Sequence, residues 1–225
     1  MKPTNVSAAV RAKVLGSRNR FWRSEDFAGS PQAVAKALSR LTRSGEVRRV
    51  RRGLYWRGTP TRLGMAPPPP KRLVEKVVDE PGSGPGEMSA ALALGLSTQV
   101  PRLETIAVPG RAPRNARGVR FVSRSASTRR RDERLRPGEV ALLEVLRDWE
   151  GLLEVPLPDA LNRIEHLVAA GSIRLDRVVR ASATEPPRAR ERLRGLLAAL
   201  ERPDDARRVR PARSALVREN HALAV

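Results

Sequence analysis

Between Ser30 and Arg52 the sequence places side chains that donate hydrogen bonds to phosphates and base edges, first at helical and then at hairpin spacing. Measured from Val34 at 100° per residue, Ser39, Gln32, Arg43, Lys36 and Arg40 fall between roughly 140° and 240° on a helical wheel. Arginine can read guanine bidentately, glutamine can read adenine, and lysine and serine can hold phosphate oxygens. Four more arginines, Arg48, Arg49, Arg51 and Arg52, follow within a few residues. The chemistry these types and spacings offer is recognition of a polyanion, with nucleic acid first among them. Taken alone, the helix face fits the solvated side of an ordinary amphipathic helix better than a binding surface, and the arginines fit an exposed charge run. Basic character on the matching side of both elements favours DNA.

No catalytic constellation accompanies them. Ser89, Ser97 and Thr98 are hydroxyls with no base nearby in sequence. His166 sits beside the apolar Ile164 and Leu167 and reads as a packed or surface histidine, and Asp204-Asp205 as a solvated pair. The glycines of Pro81-Gly82-Ser83-Gly84-Pro85-Gly86 lack the following Lys-Ser or Lys-Thr and the preceding strand of a phosphate-binding loop. Arg129-Arg130-Arg131-Asp132-Glu133-Arg134 reads as an exposed mixed-charge loop, with nucleic-acid contact as a second option. Without cysteine, and with only His166 and His221, thiol chemistry, disulfides and His-based metal centres lose their ligands. The chain is therefore expected not to be an enzyme and to carry no cofactor or metal.

Certain elements must position the basic side chains. Thr4 is placed to cap a first helix whose stripe is Val6, Val10 and Val14, ending near Gly16. A short second helix is expected from Ser24, with Glu25 and Asp26 in its first turn and Phe27 as its anchor. Ser30-Pro31 starts the third, Val34, Ala37, Leu38 and Leu41 give its buried stripe, and Gly45 closes it. Val47 and Val50, then Leu54, Tyr55 and Trp56, are strand formers flanking a tight turn at Arg51-Arg52-Gly53. Because the valines are three apart, a bulge or a short first strand is expected. Three helices followed by a basic hairpin is the order of a winged helix-turn-helix. In that arrangement the third helix enters the major groove and the hairpin lies along the backbone or minor groove.

Composition agrees. The chain has 225 residues, 44 Lys+Arg and 24 Asp+Glu, a net charge of +20. Residues 1–60 carry 14 − 3 = +11 of that excess. Lysine occupies only positions 2, 13, 36, 71 and 76, so 44 − 5 = 39 of the cations are arginine, part of which reflects a genomic habit of codon use. Met1-Lys2-Pro3 leads into a polar segment, and no run approaches 18 apolar residues, so neither a signal peptide nor a membrane span is expected, and the cytoplasm is.

Beyond residue 60 the prolines at 60 and 67–70 predict a semi-rigid linker over 61–71. A short helix at 72–79, a small apolar helix at 88–94 ended by Gly95, and strands at 104–108 and 119–123 follow. Helical stripes return with Leu142, Val145, Leu146 and Trp149, then Leu157, Leu161, Ile164 and Val168, then Leu193, Leu196, Leu197 and Leu200. Residues 202–225 show no sustained apolar period and read as a flexible tail.

Three stretches together carry a family resemblance. They are Ala37-Leu38-Ser39-Arg40-Leu41, Gly45-Glu46-Val47-Arg48-Arg49-Val50-Arg51-Arg52-Gly53-Leu54-Tyr55, and Ala93-Leu94-Gly95-Leu96-Ser97-Thr98-Gln99-Val100-Pro101. Roughly residues 20–125 resemble the abortive-infection antitoxins of the AbiEi type, the antitoxin halves of type IV toxin-antitoxin systems. The resemblance implies an α+β, mainly helical chain. A winged helix-turn-helix on residues 1–60 would precede a C-terminal α/β antitoxin-like domain on 72–201 that ends in helices. It further implies autorepression through promoter inverted repeats in double-stranded DNA and relief of a nucleotidyltransferase toxin without a stable complex. A stand-alone winged-helix regulator, or a basic interaction protein without antitoxin activity, fits the residues as well.

Overall fold

The computed structural model describes residues 5–62, 64–116 and 118–214. The chain is α+β with helix predominating, and it divides into two compact units, Met1–Leu73 and Val74–Val225.

In the first unit, helix α1 (Val6–Leu15) buries Val10 and Val14. Its cap is Asn5, whose carboxamide oxygen accepts from the amides of Ser7 and Ala8; the expected cap, Thr4, lies outside the described residues. Strand β1 (Arg20–Arg23) comes next, followed by a single 3-10 turn at Ser24–Asp26 in place of the second helix. Phe27 tilts against Trp22 with ring centroids 5.1 Å apart. Helix α2 (Pro31–Arg43) starts where serine and proline predict. The Ser30 hydroxyl accepts from the Ala33 amide at 3.3 Å, and Val34, Ala37, Leu38 and Leu41 are buried. Beyond the helix Gly45 takes φ +73°, a left-handed geometry that only glycine adopts without strain. The amides of Glu46 and Val47 both then donate to the Leu41 carbonyl.

Strands β2 (Arg48–Arg51) and β3 (Leu54–Arg57) form the hairpin, and β1 joins on the far side of β3 to give the antiparallel order β1-β3-β2. The ladder shifts register between Arg49 and Arg51, which is the irregularity the valine spacing requires. β1 is not among the expected strands. Two arginines bracket its two aromatics, so no alternating pattern is visible, and pairing with β3 supplies its strand character.

Residues 61–71 are not a bare linker. Strands β4 (Pro60–Thr61) and β5 (Gly64–Met65) pair, the Trp56 indole N–H donates to the Ala66 carbonyl at 2.8 Å, and Arg72 stacks on the Trp56 ring at 5.6 Å. A buried indole needs an acceptor for its N–H and cover for its second face, and this segment provides both. Helix α3 (Pro70–Val78) already begins at the last proline of the run.

The second unit has a small sheet in the order β6 (Gly84–Pro85), β7 (Glu104–Val108), β8 (Val119–Ser123). β7 and β8 run parallel. Helices α4 (Glu87–Ala93), α5 (Arg129–Asp132), α6 (Pro137–Arg147), α7 (Trp149–Leu152), α8 (Leu157–Ala169), α9 (Leu175–Ala181), α10 (Pro187–Ala199) and α11 (Pro203–Arg208) complete it. α6 is the central element: every residue from 139 to 146 is buried, including Glu139 and Glu144. A helix surrounded on all sides shows no single apolar stripe.

Two expectations fail in this unit. Arg129–Asp132 is helical and Arg130 is completely buried, so that stretch is not an exposed loop. Residues 202–214 are not a loose tail either. Val209 and Ala212 are buried, and Arg194 donates to the carbonyls of Ala206 and Val209 at 3.0 and 2.9 Å. Residues 215–225, with His221, lie outside the described residues.

Candidate nucleic-acid interface

The apolar stripe of α2 faces the core shared with α1 and the sheet, and this fixes what its other side displays. Gln32, Lys36, Ser39, Arg40 and Arg43 are all exposed. On the hairpin Arg48, Arg49 and Arg52 are exposed, whereas Arg51 is half-buried at the register shift. The two-residue turn, with Gly53 at φ +79°, puts Arg52 at the tip. Arg51 therefore belongs less to the displayed set than its neighbours do.

No hydrogen bond or ion pair involves the side chains of Gln32, Lys36, Ser39, Arg40, Arg43, Arg48, Arg49 or Arg52 among the described residues. The reason lies in where the acids are. Residues 1–73 hold 17 Lys+Arg and three acids, a net of 17 − 3 = +14, and the acids are engaged elsewhere. Glu46 accepts from Arg11 at 2.6 Å and from the Ser44 hydroxyl at 2.7 Å. Glu25 pairs with Arg23 at 3.4 Å, and Asp26 accepts from the Arg23 amide at 2.6 Å. The face of α2 and the hairpin keep an uncompensated field that attracts polyanions.

The second unit uses arginine differently, for internal pairing. Arg130 donates through Nε and Nη2 to the two oxygens of Glu185 at 2.6 and 2.9 Å, and through Nη1 to Glu144 at 2.7 Å. Arg124 clasps Glu144 at 2.9 and 2.8 Å, and Arg147 reaches Glu185 at 2.9 Å. Burial alone would raise the Glu144 pKa, but the hydrogen bonds from Arg124 and the attraction of Arg130 and Arg124 outweigh it and hold the carboxyl below its ordinary value. Glu139, also buried, is held low in the same way by Arg174 and by the amides of Arg136 and Arg174. Nothing in sequence marks these pairs, because their partners are far apart along the chain.

The hydroxyls that could have served chemistry have structural roles. Ser89 accepts from the buried Thr105 amide at 2.9 Å. The Ser97 hydroxyl donates to Glu154 at 2.7 Å and accepts from the Gln99 amide at 3.0 Å, while the Thr98 amide donates to the same carboxylate at 2.9 Å. The Glu154 amide donates to the Leu96 carbonyl, so residues 96–99 form a turn closed by Glu154. Those bonds hold the Glu154 carboxyl below its ordinary range. Replacing Glu154 with Gln is expected to speed hydrogen exchange at the Thr98 and Gln99 amides and leave α4 unchanged. Unaltered exchange at Thr98 would mean that the carboxylate does not hold the turn. His166 is exposed, with Nδ1 2.9 Å from the Asn162 carbonyl. The described residues contain no cluster of three or more potential metal-ligating His, Cys, Asp or Glu side chains.

No family model matches the chain, and no curated protein does. Among solved structures it is similar to the crystal structure of the RV2827C protein from Mycobacterium tuberculosis. The likeness covers 99% of this chain and 83% of that one at 19% identity, with a TM-score of 0.39. No helix among the described residues is long and apolar enough to cross a membrane.

Proposed function

We propose that residues 5–57 are a winged helix-turn-helix that binds duplex DNA, with α2 in the major groove and the β2–β3 hairpin as the wing. The observation that carries this reading is the row of exposed side chains on α2 and the hairpin that no acid of the first unit engages. The element order α1, β1, 3-10 turn, α2, β2, β3 and the sheet order β1-β3-β2 support it. An α-helix fits the major groove, and its donors meet base edges there, while phosphate contacts fix register and orientation. Arg40 and Arg43 are assigned to guanine edges, Gln32 to adenine, and Lys36 and Ser39 to flanking phosphates. Arg48, Arg49 and Arg52 are assigned to the backbone or a narrow minor groove. Arg51, half-buried at the bulge, contributes to the hairpin before it contributes to DNA.

The wing's hold on phosphate is sequence-blind and measurable through salt. Removing one arginine–phosphate pair lowers the slope of log K against log salt by about 0.9, so Arg48→Ala/Arg49→Ala/Arg52→Ala is expected to flatten it by up to about 2.7. An unaltered slope would remove the wing from the interface.

On the strength of the sequence resemblance, we infer that the protein acts as a DNA-binding autorepressor and as the antitoxin of a type IV system. Its functional counterpart would be a nucleotidyltransferase toxin, with no stable complex required. Co-expression with a nucleotidyltransferase encoded next to it tests this half: growth is expected to be restored. Toxicity that persists would refute the antitoxin role and leave repression standing.

A further inference from the structure

The buried ion cluster of the second unit holds more positive charge than negative. Three guanidiniums, Arg124, Arg130 and Arg147, share two carboxylates, Glu144 and Glu185, so 3 − 2 leaves +1; Glu87 also attracts Arg124 but is itself paired with Arg120. The donors are used unevenly. Arg130, with no exposed side-chain surface, spends Nε, Nη1 and Nη2 on the two acids. Arg147 spends only Nη1, on Glu185, and its Nε and Nη2 have no partner among the described residues. Arg124 turns Nη1 outward, with only the Ser123 carbonyl near it at 3.5 Å. Arg124 and Arg147 reach solvent, at 18% and 21% side-chain exposure, so the excess charge emerges there. Burial pushes the Arg147 pKa down, against the upward pull of Glu144 and Glu185, and Arg124 and Arg130 push it the same way. The carbonyl end of α6 at Arg147 offsets only about half a charge.

A half-buried guanidinium with a vacant Nε/Nη2 edge is a two-pronged donor for a tetrahedral or planar oxyanion. We propose that Arg147, in the field of Arg124 and Arg130, is a binding site for an oxyanion of the phosphate class, separate from the DNA-reading face of α2. The excess charge of the cluster is then neutralised by the ligand.

The test uses the intact protein and inorganic phosphate, against chloride at equal ionic strength. Phosphate at about ten times its Kd is expected to raise the melting temperature of the second unit by about 3–6 °C. Arg147→Gln removes the excess charge with the site. It is expected to melt in chloride within about 2 °C of the unmodified protein and to lose the phosphate response. An Arg147 that is merely structural would instead lose stability in chloride. The Nε–H resonance of Arg147 provides a second readout and should shift on phosphate addition. Arg40→Ala/Arg43→Ala/Arg48→Ala/Arg49→Ala should keep the phosphate response, which distinguishes this site from the basic face of the first unit. A 5′-mononucleotide should compete with phosphate, and the tighter of the two identifies the source of the oxyanion. The proposal is overturned if phosphate does no more than chloride, or if Arg147→Gln responds as the unmodified protein does.

Discussion

Replacing Arg40 and Arg43 together with alanine is expected to lower affinity for a duplex from the chain's own upstream region and to relax sequence preference. The expected loss is about 1–3 kcal/mol for each guanidinium that reads a base bidentately. Both residues lie in the last turn of α2, exposed, with Leu38 and Leu41 anchoring the opposite side in the core. Truncating them exposes no apolar surface and breaks no protein hydrogen bond, so the melting temperature should hold while binding falls. Arginine near a helix C-terminus also interacts favourably with the helix dipole, but on an exposed turn this is worth only about 0.3–1 kcal/mol. Affinity and stability are thereby separable in one variant. Unchanged affinity and unchanged preference would take α2 out of the groove.

Glu185→Gln should have the largest effect on stability. It leaves Arg124, Arg130 and Arg147 facing Glu144 alone, raising the buried excess from one charge to two. Breaking a buried pair in this way costs about 3–5 kcal/mol. For a unit of this size that corresponds to about 6–20 °C in melting temperature. Arg130→Met should cost less, although Arg130 is the more deeply placed residue, because Glu144 then keeps Arg124 and Glu185 keeps Arg147. If Arg130→Met proves the more damaging, packing and not charge balance governs the cluster. The acid side follows from Glu144 and Glu139, whose pKa values are lowered in the folded chain. Their contribution is fully present above the ordinary glutamate value and is lost as pH falls through the folded value. Melting temperature should therefore decline below about pH 4–5, and the decline should be shallower in Glu139→Gln.

What the sequence made legible depended on whether the information was local. The boundaries of α2 follow from Ser30-Pro31 and a stripe of period 3.6, and the bulge from two valines an odd number of residues apart. Strands Glu104–Val108 and Val119–Ser123 lie where the expected runs do, although nothing local specifies their parallel pairing. β1 is invisible in sequence because Arg20 and Arg23 hide a two-aromatic strand, and its partners lie more than thirty residues away. The run from Arg129 to Arg134 misleads for the same reason. Charged residues in sequence imply solvent, whereas Arg130 is buried by acids 14 and 55 residues distant. Of the site residues, eight of the nine are displayed on the surface and Arg51 is drawn partly inward by the bulge that the same sequence dictated. Division of charge between the units sharpens the picture further. The first holds +14 with its acids engaged off the α2 face, leaving 20 − 14 = +6 for the second.

On the proposed reading, this concentrated charge reads duplex DNA through α2. Titrating the intact protein against a fluorescent duplex of its upstream region, over a range of salt, tests it most directly. Log K is expected to fall linearly with log salt, the specific duplex to outcompete a scrambled one by about 10³-fold or more, and Arg40→Ala/Arg43→Ala to cut that preference sharply while leaving the salt dependence of the wing. Equal affinity for both duplexes, or a preference untouched by the double substitution, would contradict it.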